Sequence, residues 1–303
     1  MMGIKKSKFF LLFVAVLLLG IVYLRSEITT TGTGQEQPQA VISMGEDLNP
    51  QQKDTVMKYF QDWTKGKSLQ YISVSNEEER TYLEGVVDER LIGSRAISSA
   101  YCELLDKGNG IEVQTENITA ITPFMYANAL VTAGIEDARV VVAAPFEVSG
   151  TAALTGIIKA FEMVSGEKLK EQNKSTAHEE MAETSELGER IGQDDAERFI
   201  FEVKKRVVAE DISDPDEIRK IILEISADLN IKLSDQEINR VVLLMQKIQQ
   251  LNISAGQLGS QMQNLERRLD ELKNQGEEAV GLLKRLLAAL ENLVTSIRSL
   301  VGG

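Results

Sequence analysis

The stretch best suited to chemistry covers residues 147–156, where a predicted buried strand passes through Ser149, Gly150 and Thr151 into a predicted helix. Backbone N–H groups at the start of a helix, beside hydroxyls and a glycine, can bind an anion. Ser149, Gly150 and Thr151 are therefore a candidate binding loop for a small anionic ligand. The alternative is that Ser149 or Thr151 only caps the helix, as hydroxyl side chains commonly do.

Other hydroxyl side chains would enlarge this loop into a site if they lie at the same edge of the domain. They are Ser98, Ser99, Thr119 and Thr122. A catalytic serine or threonine would need a base, but the sequence places no histidine near the loop, and Lys159 lies two turns into the helix. We therefore expect binding rather than catalysis, with a Ser/Thr hydrolase as the remaining enzymatic alternative.

The single cysteine and the single histidine limit the available chemistry. Cys102 cannot form an intramolecular disulfide and is expected to be a small buried residue, whereas His178 lies in a polar, acidic stretch. Zinc sites of the Cys/His type and a Ser-His-Asp triad are therefore unsupported, and the sequence has no GxGxxG, Walker A or EF-hand pattern. The sequence predicts neither a metal nor a cofactor.

The overall charge argues against one class of partner. Lys and Arg number 33 against 46 Asp and Glu, which gives a net charge of -13 and a pI near 4.8. The phosphates of a nucleic acid would be repelled, and the sequence has no basic stripe that would reverse this effect. We expect no nucleic-acid partner.

Residues 1–24 have the pattern of a signal peptide or signal anchor. Lys5, Lys6 and Lys8 precede an apolar run of 16 residues at 9–24, which predicts export with the lysines left in the cytoplasm. A helix of that length spans only about 24 Å of a bilayer core of about 30 Å, which favours a cleaved signal. No A-x-A site follows the run, which favours an uncleaved anchor. Both alternatives place the rest of the chain outside the cytoplasm, with membrane contact only through this segment.

The next residues divide into a tether and a folded domain. Residues 25–39 contain TTTGTGQEQPQ and predict a flexible tether, after which 40–166 predict an α+β domain. From Gln70 the predicted order is strand, helix, strand, strand, helix, strand, helix, and residues 139–144 suit a buried central strand. We predict an α+β fold whose mixed sheet has the ferredoxin-like strand and helix order and is covered by helices.

The last part of the chain is predicted to be all-helical. Acidic residues dominate 167–193, which predicts an acidic linker or, as the alternative, a solvated helix, and 194–303 follow as a helical region. Leucines and other apolar residues recur at heptad spacing in 258–272 and again in 283–301. These segments are expected either to fold back as a hairpin on the preceding helices or to pair with another chain as an oligomer.

Four segments carry a resemblance to a known family. They are GEDLNPQQK at 45–53, ISSAY at 97–101, NITAITPFMYANALVTAGI at 117–135 and AAPFEVSGTAALTGI at 143–157. The sequence resembles the YpuA-like secreted proteins of Gram-positive bacteria, whose shared domain has no established function, over about residues 40–303. The resemblance implies export and a cell-envelope setting, and it supplies no catalytic residues. We therefore expect a non-catalytic binding or scaffold protein whose partner is a cell-wall polymer or an envelope protein.

The predicted export can be tested with reporters fused after Gly303. Because lysines precede the apolar run, we expect a fused alkaline phosphatase to be active and a fused β-galactosidase to be inactive. Deletion of residues 1–24 should reverse both activities. A full-length fusion that supports only the cytoplasmic reporter would contradict export.

Overall fold

The computed structural model describes residues 38–84 and 89–251, together with the isolated positions 259, 263 and 267. The described residues belong to one compact unit that starts at Pro38. The predicted signal segment 1–24, nearly all of the tether and nearly all of the heptad-spaced segments after residue 251 lie outside the described residues. Among the helices that are described, none has the length and apolarity needed to cross a membrane.

A five-stranded mixed sheet is the centre of the fold. Its strands are β1 (Ala40–Gly45), β2 (Leu69–Val74), β3 (Ser99–Leu104), β4 (Ile111–Ile118) and β5 (Ala138–Val148). Their spatial order is β2-β1-β3-β5-β4. Strands β1 and β2 are parallel, as are β4 and β5, whereas β3 is antiparallel to both of its neighbours. The apolar run predicted as a central strand at 139–144 lies within β5, as expected for a strand that pairs on both sides.

Helices cover both faces of this sheet and continue beyond it. They are α1 (Pro50–Thr64), α2 (Asn76–Leu83), α3 (Glu89–Ile92), α4 (Pro123–Ala133), α5 (Thr151–Ser165), α6 (Glu171–Ile191), α7 (Gln193–Ala209), α8 (Pro215–Asp228) and α9 (Asp235–Gln249). Local sequence explains several boundaries. Asn49 forms a capping box before Pro50, and Thr122 caps α4, which ends at the left-handed Gly134.

The two faces of the sheet have different coverings. On one face, α1 buries Val56 and Phe60 against Ile42 and Tyr101 of the sheet. On the other face, α4 and α5 pack on the sheet and are followed by the remaining helices, which extend the same apolar core. Helix α5 approaches β1 closely because Gly156 has no side chain: a Cβ atom there would lie 2.4 Å from Ser43 Oγ. The fold is therefore an α+β arrangement with a mixed sheet, as the sequence predicts.

The ferredoxin-like part of the prediction is not confirmed. In this sheet β1-α1-β2 and β4-α4-β5 each join adjacent parallel strands, so neither pair is split by a strand of the other. The N-terminal strand β1 lies between β2 and β3, so β2 is an edge strand of the sheet. Apolar periodicity identifies strands but carries no information about their partners, so the element order alone does not determine the pairing.

The acidic linker predicted at residues 167–193 is wrong, because the structure has a 21-residue helix there. Glu180 and Glu183 of α6 are only 1% and 9% exposed. One apolar core runs from β1 through α6 to α9, so the described residues do not divide into an α+β domain and a separate helical region. Composition was misleading because some charges of α6, namely Lys174, Glu180 and Glu183, are buried and paired inside the protein.

A buried ion pair fixes α6 against its neighbours. Lys204 of α7 is fully buried, and its Nζ atom donates to Glu180 Oε1 at 2.9 Å and to Thr132 Oγ1 at 2.7 Å. The carbonyl oxygens of the Asn128 backbone and side chain also lie 2.9 Å from the same ammonium, whose three N–H groups are shared among these four acceptors. These contacts join α4, α6 and α7, and they satisfy a charge that would otherwise be expensive to bury.

Replacement of Lys204 by methionine should lower the free energy of unfolding by about 3–5 kcal/mol, because it leaves the Glu180 carboxylate buried without its partner. The double variant Lys204→Met with Glu180→Gln should recover part of this loss. Lys247→Met is the control, since it removes a half-exposed pair with Glu179 and should cost at most about 1 kcal/mol. Denaturant unfolding measures all three variants, and similar losses for Lys204→Met and Lys247→Met would contradict the role of the buried pair.

Candidate functional site

The loop predicted to bind an anion lies between β5 and α5. Gly150 has a left-handed backbone with φ of 96°, and no side chain caps the start of α5. The alternative prediction, that the side chain of Ser149 or Thr151 caps this helix, is therefore wrong. An added Cβ atom at Gly150 would lie 2.6 Å from Tyr126 Oη, and this hydroxyl donates to the Gly150 carbonyl at 2.5 Å. The loop is thus rigid and closely packed.

A carboxyl group of the protein already lies at the start of α5. Glu79 of α2 is fully buried, and Thr151 Oγ1 donates to its Oε1 atom at 2.5 Å while Asn76 Nδ2 donates to Oε2 at 3.2 Å. Burial raises the pKa of Glu79 to about 7, although the hydrogen bonds from Thr151 and Asn76 oppose this rise. An ionised Glu79 would repel a second anion. The loop is therefore better suited to an uncharged, hydroxyl-bearing ligand than to the predicted anion.

A cavity of about 200 Å³, which we name the hydroxyl cavity, opens beside this loop. Its lining residues are Glu79, Ile92, Gly93, Ser94, Arg95, Ile97, Ser98, Phe146, Val148, Ser149, Gly150, Thr151 and Ala152. The Ser149 and Thr151 hydroxyls lie 3.4 Å apart. Ser98 is 5% exposed, and its hydroxyl has no hydrogen-bond partner within the described part of the chain. The side chain of Phe146 is 42% exposed.

The other predicted hydroxyl residues have structural roles. Ser99 Oγ accepts a hydrogen bond from a backbone N–H group of β1, Thr119 donates to a carbonyl of β5, and Thr122 caps α4. Lys159 donates to a carbonyl of β2, away from the loop. Of the four additional hydroxyl residues, Ser98 is therefore the one that lines the cavity beside the loop.

Glu79 is the site residue that sequence reasoning missed. It belongs to a run of glutamates at the start of α2, which suits a helix N-terminus without any further role. One signal was present: Glu79 lies four residues before Leu83, so both share one helix face, and Leu83 is fully buried. An acid on a buried helix face needs a partner, and here that partner is Thr151.

The histidine and the cysteine lie in the core, outside this cavity. His178 is fully buried, with its ring stacked on Tyr82 at 4.4 Å and Nε2 3.0 Å from Thr155 Oγ1. Burial lowers the pKa of His178 to about 4 and raises that of Cys102 to about 12, so both are neutral at pH 7. Across residues 38–84 and 89–251, no group of three His, Cys, Asp or Glu side chains is arranged to hold a metal ion.

Comparison with known proteins defines the family. The chain belongs to the family described as "Protein of unknown function (DUF1002)", which matches residues 44–265. It is 36% identical over 260 residues to the uncharacterized protein YpuA of Bacillus subtilis (strain 168), an alignment that covers 85% of this chain and 89% of YpuA. The resemblance to YpuA-like proteins is therefore confirmed. No solved structure matches the chain.

The buried Glu79 carboxyl should make folding stability depend on pH. Its pKa is raised on folding, so the folded state binds more protons than the unfolded chain between pH 4.5 and 7, and stability falls as pH rises through this window. A rise from 4.5 to about 7 corresponds to about 3 kcal/mol. Because glutamine does not ionise, the stability of Glu79→Gln relative to the parent should increase as the pH rises from 4.5 to 7.

Urea unfolding between pH 4.5 and 7.5 measures the difference in the free energy of unfolding between the two proteins. Ser98→Ala, which changes the same cavity without removing a titratable group, should keep the pH dependence of the parent. A constant difference between Glu79→Gln and the parent at every pH would show that Glu79 ionises normally in the folded state.

Proposed function

We propose that this protein is an exported cell-envelope protein that binds an uncharged, hydroxyl-bearing group, such as one saccharide unit of a cell-wall polymer, in the hydroxyl cavity. The observation that carries the proposal is the Ser98 hydroxyl: Ser98 lines the cavity and is only 5% exposed, and its hydroxyl has no hydrogen-bond partner in the described residues. Buried polar groups are normally hydrogen-bonded, so a hydroxyl left in a cavity is suited to a ligand.

The composition of the cavity supports a saccharide. Hydroxyls of Ser98, Ser149 and Thr151 can exchange hydrogen bonds with the ligand, and the half-exposed ring of Phe146 offers an apolar surface for a sugar face. Ligand pockets for drug-sized molecules are about 300–1,000 Å³. A cavity of about 200 Å³ is smaller, so it suits one ring or chain end of a polymer.

Charge supports an uncharged ligand inside the cavity. Glu79 lies at the cavity wall, and an anion there would meet its carboxylate once Glu79 ionises. Arg95 also lines the cavity and is exposed to solvent. If the polymer carries an acidic substituent, we expect this group to lie beside the exposed Arg95 and away from Glu79.

Export and the envelope setting rest on the N-terminal pattern of lysines followed by the apolar run 9–24. We also propose that residues 252–303 continue the helical region as a hairpin. The reason is that their heptad spacing is interrupted at Gly276, where a turn would be needed. An oligomer formed through the same heptads is the alternative.

One contact favours a second function. Thr151 Oγ1 lies 2.5 Å from Glu79 Oε1, so a hydroxyl and a carboxylate base are within reach, as a Thr-dependent hydrolase would require. A hydrolase predicts that Thr151→Ala stops release of soluble fragments from cell-wall material and leaves binding intact. The binding proposal predicts that no fragments are released by the parent protein at all.

Binding is tested by sedimentation of the full-length protein with purified cell walls. We expect Ser98→Ala and Phe146→Ala each to weaken retention by about fivefold, because each removes a contact worth about 1 kcal/mol. The control is Tyr71→Ala, which removes an exposed aromatic ring of β2 that does not line the cavity. Equal retention of all four proteins, or no retention of the parent, would refute saccharide binding at this cavity.

A further inference from the structure

A second and larger cavity lies at the opposite end of helix α5. It has a volume of about 610 Å³ and shares no lining residue with the hydroxyl cavity. It lies where α4 and α5 end and α6 begins, and we name it the interhelix pocket. Val131, Ile135 and Phe161 form a buried apolar floor, with the half-buried Leu169 beside them. A pocket of this size with an apolar floor has the character of a small-molecule site.

The side chain of Asn173 gives this pocket an unpaired acceptor. Asn173 is 7% exposed and lines the pocket. Its Oδ1 is the one buried side-chain nitrogen or oxygen atom of the described residues that lacks a hydrogen-bond partner. Its Nδ2 atom lies 3.5 Å from the Ala133 carbonyl oxygen, at the outer limit of a hydrogen bond, so a rotation of the amide that brings Oδ1 to the pocket would break only a weak hydrogen bond. An unpaired buried carbonyl is unfavourable, and a donor from a ligand would satisfy it.

Helix ends supply charge of both signs around the same pocket. Helices α4 and α5 end here, at Ala133 and Ser165, and the last carbonyls of a helix carry partial negative charge. Helix α6 begins here after Lys170, and no side chain caps its first N–H groups, which carry partial positive charge. Asn173 belongs to the first turn of α6 and reaches back to the end of α4. One end of the pocket therefore favours a cation and the other an anion.

Charged side chains of both signs also line the rim of the pocket. Lys107, Lys168 and Lys170 line the pocket together with Glu136, Asp137 and Glu167, so the rim has no net charge. A lone anion would face the Asn173 carbonyl and these carboxylates, whereas a lone cation would leave the start of α6 and the exposed Lys170 without an anion. A ligand that carries both charges matches the pocket best.

We propose that the interhelix pocket binds a zwitterionic amino compound, namely a short peptide with free ends. Its ammonium group donates to Asn173 Oδ1 beside the ends of α4 and α5. Its carboxylate accepts from the first N–H groups of α6, next to Lys170, and its apolar side chains cover Phe161 and Leu169. This site is independent of saccharide binding, because it uses other residues.

Isothermal titration calorimetry on the full-length protein tests the proposal with three probes: leucyl-leucine, its N-acetyl derivative and its C-terminal amide. We expect leucyl-leucine to bind and each blocked form to bind at least about tenfold more weakly, because each lacks one of the two charges. Failure of leucyl-leucine to bind at millimolar concentration, or equal affinity of all three probes, would overturn the proposal.

Two variants test which residues bind the ammonium end and the carboxylate end of the ligand. Asn173→Leu should weaken leucyl-leucine at least about tenfold and leave the N-acetyl form unchanged, because only the free ammonium uses Oδ1. Lys170→Glu, at an exposed position where folding is not at risk, should weaken leucyl-leucine and leave the C-terminal amide unchanged. Ser98→Ala is the control and should bind leucyl-leucine like the parent. If both variants bind leucyl-leucine like the parent, the peptide binds elsewhere and the proposed site is wrong.

Discussion

The fold depends on the neutralisation of charge inside helix α6. This helix is rich in charged and polar residues, yet it packs between α4 and α7 with Glu180 almost fully buried. Burial of an unpaired carboxylate would be strongly unfavourable, so α6 can take this position only because Lys204 supplies a buried counter-charge. The rest follows from that position: α6 extends the apolar core beyond the sheet and places Asn173 at the end of α4.

Local signals predicted local structure well, and they were weaker for anything that depends on distant partners. The Asn49-Pro50 and Thr122-Pro123 pairs begin helices in the structure, because capping is decided by adjacent residues. The position of β1 between β2 and β3 could not be predicted in this way, since pairing depends on how whole layers pack. The same limit explains the error at α6: its acids were interpreted as solvated because Lys204 lies in a different helix.

The candidate site shows the same division between local and distant information. The sequence predicted that Ser149, Gly150 and Thr151 connect a strand to a helix start, because these features are adjacent in the chain. It did not identify Glu79, which meets Thr151 across a separation of 72 residues. That one contact changes the chemistry of the loop, because a helix start that already holds a carboxyl group no longer attracts an external anion.

The titration of Glu79 also determines which hydrogen bonds the hydroxyl cavity can offer. An ionised carboxylate only accepts, so the hydroxyl hydrogen of Thr151 is then committed to Glu79. A protonated Glu79 can itself donate, which allows Thr151 to direct its hydrogen elsewhere. With the pKa of Glu79 raised to about 7, both forms exist near neutral pH. Saccharide hydroxyls both donate and accept, so they can pair with either form, whereas a pure acceptor such as a carboxylate can pair with only one.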